Sequence, residues 1–148
     1  MAMKRRLAVS LNRDPAMGAT RVSIRRTKLV YILVADKRLR YETGKSRIAY
    51  IGTTQNGASR VATSVAARAY DILSIRGVRR FDARIVTCTP RPRVKTWRKL
   101  ERALLLEFRE LFGEPPWCNT HGKRLRELDE FDRYFQRTRI RNILNDLS

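Results

Sequence analysis

The sequence predicts an α/β protein of the α+β kind, with a small central antiparallel three-stranded sheet flanked by helices and extra helices at the C-terminal end. Three observations predict it. The 148 residues, 43% of them hydrophobic, suffice for one ordinary core and not for two comfortable domains. Two apolar, β-branched runs flank a charged stretch as the strands of a hairpin do, and a third such run follows a helical pattern. Two longer windows repeat apolar residues at helical spacing and stop at glycine.

Residues 1–26 mix Arg, Ser, Asn, Pro and Gly with isolated apolar residues, so they read as a basic arm, although residues 21–24 could form a short strand. A compact domain is expected over 27–122. Its first strand spans residues 28–35 and its second residues 48–52, joined by a long turn with five basic residues from Lys37 to Arg47. A helix over 58–75 begins after polar, cap-like residues and stops at Gly77. Residues 81–89 read as the third strand, closed by Pro90 and Pro92, and residues 94–112 as the second helix, closed by Gly113, Pro115 and Pro116. Short amphipathic patterns over 123–148 suit a C-terminal helical extension packed on the same domain.

The charge is lopsided. Lys and Arg number 33 against 14 Asp and Glu, a net +19 that repels itself unless polyanions or counterions lie close. Residues 1–98 carry 23 basic and 5 acidic residues, whereas 99–148 carry 10 and 9, so the first two thirds hold nearly all the excess. Arg, whose planar fork matches phosphate oxygens, outnumbers Lys. These features predict a DNA partner, with RNA as the alternative; a ribosome-like structural binder and a face for anionic lipid are the other readings of charge alone. Cys88 and Cys118 lack CxxC spacing, and a single histidine, His121, cannot complete a structural zinc site with them. No apolar run approaches the roughly 20 residues of a membrane span. An intracellular, cytoplasmic protein without a membrane partner is expected, as a monomer or homodimer.

Leu29-Val30-Tyr31 on the first strand, Tyr50-Ile51-Gly52 on the second, Arg60 ten residues after Tyr50, and Glu107 twelve residues before Asn119 occur in the order and settings found in one nuclease family. Over roughly residues 28–122 the chain resembles the GIY-YIG endonucleases. Leu29 stands where glycine is usual there. Ser64, four residues after Arg60, stands where that family places His or Tyr, and a serine is no equivalent general base near neutral pH.

The resemblance implies a metal-dependent endonuclease that hydrolyses DNA phosphodiester bonds, or a DNA- or RNA-binding module on the same fold that has lost turnover. It implies Tyr31, Tyr50, Arg60, Glu107 and Asn119 as catalytic residues, with Glu107 as ligand to Mg²⁺ or Mn²⁺, a hard ion suited to carboxylate oxygen. Arg60 would clamp the phosphate and the phenols would orient water or accept a proton. Lys37, Arg38, Arg40, Lys45, Arg47 and Arg68 are the candidate DNA-binding residues. Each position has an ordinary structural reading too: two core tyrosines, a surface arginine, a turn asparagine, and a marginal carboxylate paired to an arginine. Helical periodicity alone places Glu101 on the apolar arc as well as Glu107.

Overall fold

The computed structural model describes residues 5–21, 25–119 and 130–148. Its elements run β1 (Leu29–Tyr41), β2 (Gly44–Thr54), α1 (Ala58–Leu73), β3 (Phe81–Val86), α2 (Thr96–Phe112), α3 (Glu130–Arg133) and α4 (Arg137–Leu147). The three strands form one antiparallel sheet in the order β2-β1-β3. The α+β architecture with its three-stranded sheet is the one expected. Residues 22–24, part of the short strand allowed by the sequence, and His121 lie outside the described residues.

β1 and β2 are longer than their apolar runs. In the charged half of the hairpin, Leu39 and Tyr41 are buried while Arg38 and Arg40 are exposed, so a period of two continues beneath the dense charge. The ladder is not regular. Its register breaks between Leu33 and Val34 and again between Val34 and Leu39, the second break leaving four β1 residues opposite one of β2. Tyr41 ties the outer half down, its hydroxyl donating to the carbonyl of Ile48. Its ring meets Phe108 edge-on at 5.1 Å.

The central strand is sealed on both faces: Leu29, Val30, Tyr31, Ile32 and Leu33 are all buried. α1 covers the face that carries Tyr31 and Leu33, reaching Tyr31 through Ser64. The other face, with Val30, Ile32 and Ile51, is closed by α2 and α4. α2 is therefore buried over most of its circumference, with Leu104 and Phe108 at its centre. α4 contributes Ile140 and Leu144 and is pinned to β2 by a 2.8 Å bond between Ser46 and Ser148. Burying each such aliphatic side chain stabilises the fold by about 1.5–3 kcal/mol. Among the described residues, no helix is long and apolar enough to cross a membrane.

Candidate functional site

The antiparallel register places Tyr31 directly opposite Gly52 and Tyr50 opposite Leu33, so the two tyrosines stand diagonally on one face. Their ring centroids are 5.8 Å apart, inclined at 41°. Both rings close over Gly52. A β-carbon there would lie 2.6 Å from Tyr50 Cε1 and 2.7 Å from Tyr31 Cζ and Oη, so only glycine leaves room for the pair.

α1 supplies the lid. The Tyr31 hydroxyl donates to Ser64 Oγ at 2.7 Å, and the Arg68 guanidinium lies 3.7 Å above the Tyr50 ring. Burial pushes the Tyr31 phenol above its ordinary 10.0; the Ser64 bond pulls the other way, Tyr50 adds to the rise and Arg68 opposes it. At neutral pH Tyr31 is thus a neutral hydrogen-bond donor. It is not a ready base. Arg68 Nε is buried without a hydrogen-bond partner, its guanidinium held against the ring.

Asn119 closes the edge of the sheet. Ile51 N–H donates to Asn119 Oδ1 at 3.0 Å and Asn119 Nδ2 donates to Ile51 O at 2.8 Å, while Cys118 N–H donates to Ala49 O at 2.9 Å. The side-chain amide imitates a neighbouring strand on the open side of β2, with both its polar atoms in use. It positions the chain beside Tyr50 and Gly52. Cys118 and Cys88 are free thiols. Burial, assisted by Asp71 and opposed by Arg68, raises the Cys118 thiol, which keeps it protonated.

Glu107 sits in a different layer. Its side chain is 0% exposed and faces α4. Arg141 grips Oε1 with Nη2 at 2.6 Å and Nε at 2.7 Å. Arg137 Nε comes within 3.2 Å of Oε2 but off the hydrogen-bonding direction, so Oε2 has a charged neighbour and no hydrogen bond. Phe131 supports Arg137, its ring 4.4 Å from the guanidinium. No hydrogen bond or ion pair joins Glu107 to Tyr31, Tyr50 or Arg60. Glu101 is buried on α2 as well.

This arrangement bears on the metal that the resemblance implies. A magnesium ion needs an octahedral shell of oxygens. Glu107 offers one carboxylate that two guanidinium groups already neutralise, and a dication brought to it would face both of them. Among the described residues there is no group of three or more His, Cys, Asp or Glu able to hold a metal. With α4 seated, the residues around Glu107 do not fit a resident Mg²⁺ or Mn²⁺.

Arg60 lies exposed in the first turn of α1. Lys37, Arg38, Arg40, Lys45 and Arg47 are exposed along the hairpin, whereas Arg68 is half-buried on Tyr50 and does not belong to that surface. The structure thus brings together Tyr31, Tyr50 and Arg68, with Asn119 one strand position away. It leaves Glu107 apart. Sequence reasoning missed Arg137 and Arg141 as the partners of Glu107; their i, i+4 spacing on a short amphipathic segment is the only signal they give. It also treated Ser64 as a departure, where it is the partner of Tyr31.

Comparison with protein-family models, curated proteins and solved structures finds no match. The likeness to GIY-YIG nucleases therefore stands on these residues alone.

Proposed function

We propose that this chain is a DNA-binding protein that engages the phosphate backbone on a GIY-YIG-like fold and, with α4 seated, does not cleave it. The observation that supports this over cleavage is the state of Glu107, fully buried and tied to Arg137 and Arg141. A dication brought to a carboxylate so held meets the positive charges of both arginines. The net charge of +19 supports the partner, because phosphates neutralise the basic surface and release condensed counterions from DNA.

A second reading is favoured by the packing of Tyr31 and Tyr50 over Gly52, which gives the second tripeptide of the resemblance a physical reason. It is a Mg²⁺- or Mn²⁺-dependent endonuclease using Tyr31, Tyr50, Arg60, Glu107 and Asn119. Supercoiled plasmid incubated with the protein in Mg²⁺, Mn²⁺ or EDTA separates the two. Binding without nicking in either metal is the expected result. Nicking that EDTA and Glu107→Gln both abolish would install the second reading. Nicking only when Arg137→Gln and Arg141→Gln are combined would mean that α4 restrains a latent site.

A further inference from the structure

One strongly charged surface is assembled by residues distant in sequence. At the wide break in the hairpin register, β1 meets the loop between α1 and β3. Lys37 Nζ donates to the carbonyl of Arg76 at 2.9 Å, Asp36 N–H donates to Arg80 O at 3.1 Å, and Arg79 N–H donates to Asp36 Oδ1 at 3.1 Å. Gly77 turns the loop at φ 87°, and a β-carbon there would lie 2.9 Å from Lys37 Nζ. The lysine stem thus lies against the turn, and the two segments form one built surface rather than two loose loops.

Among the described residues, the arginines of this surface lack the carboxylate partners that some charges in the fold have, as do other exposed arginines such as Arg98, Arg102 and Arg139. What sets this surface apart is that hydrogen bonds hold its two sequence-distant segments together. Arg84 has Asp82 and Glu107 has Arg137 and Arg141. Arg38, Arg40, Arg76, Arg79 and Arg80 are exposed and, among the described residues, none of them has an ion-pair partner. The single carboxylate in the two segments, Asp36, already accepts the Arg79 amide. The unpaired guanidinium groups of Arg38, Arg76, Arg79 and Arg80 on the docked segments repel each other, and a regular row of phosphates relieves that repulsion. Apart from the arginines themselves, residues 35–38 and 74–80 include no Asn or Gln to read adenine edges and no aromatic residue to stack on bases.

We infer that the surface made by the β1 register break and the α1–β3 loop, centred on Lys37, Arg38, Arg76, Arg79 and Arg80, is the part of this protein that binds the backbone of duplex DNA, without sequence preference. It extends the hairpin candidates to a loop that sequence reasoning did not connect with them, and it rests on the DNA-binding reading above. The Tyr31–Tyr50 cluster is not needed for it.

The test uses the full chain and a short DNA duplex of arbitrary sequence, with affinity measured over a series of salt concentrations. Arg38→Gln, Arg79→Gln and Arg80→Gln are combined in one variant. Arg98→Gln, Arg102→Gln and Arg139→Gln, all exposed, are combined in a control with the same loss of charge. The first variant is expected to bind at least tenfold more weakly, with a log affinity against log salt slope shallower by about 0.9 for each phosphate no longer neutralised. The control is expected to keep the wild-type slope. Equal weakening in the two variants overturns the surface while leaving DNA binding intact. Wild-type protein that fails to bind the duplex overturns DNA binding itself. A second duplex of unrelated sequence bound tenfold more tightly refutes the claim of no preference.

Discussion

The chain holds two polar clusters, one on each side of its sheet, and they are built on opposite principles. Between the sheet and α1, Tyr31, Ser64, Tyr50 and Arg68 form a group in which the phenol is kept neutral by burial and the cation rests on an aromatic face. Between α2 and α4, Glu107, Arg137 and Arg141 form a fully ionic group around a carboxylate with no water access. The first is specified by shape, since Gly52 must lack a side chain for it to exist. The second is specified by charge balance, because a carboxylate that deep is tolerable only when paired.

That contrast predicts how each cluster breaks. The largest effect is expected from Arg137→Ala combined with Arg141→Ala, which strands Glu107 as an unpaired buried charge at a cost of about 3–5 kcal/mol in urea unfolding. Adding Glu107→Gln should recover much of it. If the double variant unfolds like wild type, Glu107 is not an ionised carboxylate and the ionic description fails.

Gly52→Ala should come next. The new methyl group collides with both tyrosine rings, and displacing them is expected to cost about 1–3 kcal/mol and to break the Tyr31–Ser64 bond. A midpoint indistinguishable from wild type would mean that the rings move aside freely.

Tyr31→Phe removes the hydroxyl and with it the bond to Ser64, for a loss of about 1 kcal/mol near neutral pH. Its pH dependence is more telling. Burial raises the phenols of Tyr31 and Tyr41 in the folded protein above the 10.0 of an exposed tyrosine. The unfolded chain therefore ionises first as pH rises, and folding stability falls once pH passes 10.0. Tyr31→Phe should make that fall shallower in urea midpoints taken on either side of this pH. An unchanged slope would show that Tyr31 ionises as easily folded as unfolded.

The smallest change is expected from Arg68→Gln, about 0.5–1 kcal/mol for a cation resting on a ring, and it should leave the Glu107 cluster untouched. The two clusters share no partners, so the losses from Arg68→Gln and Arg141→Ala should add.

Much of the fold is legible in the sequence. The apolar runs of β1 and β2, the helical spacing of α2 and its stop at Gly113 follow from local pattern, and so does the class of the sheet. The hairpin is longer than its apolar runs suggest because Arg38, Arg40, Lys45 and Arg47 mask the alternation that buries Leu39, Tyr41 and Ser46. Tyr50 and Gly52 share a face by strand alternation alone, whereas Tyr31 joins them only through the register of the broken ladder. Ser64 is visible only as a substitution, and its bond to Tyr31 needs the crossing of α1 over the sheet.

By itself the sequence determined that the protein is basic, has one small antiparallel sheet, and puts Tyr50 and Gly52 on one face of a strand, because charge and period are local properties. Only the tertiary structure decided what Glu107 does. Helical periodicity placed both Glu101 and Glu107 on the buried arc, and burial says nothing about whether a carboxylate meets a metal, a phosphate or an arginine. That choice was made by α4, which begins 30 residues after Glu107 and whose packing brings Arg137 and Arg141 to it.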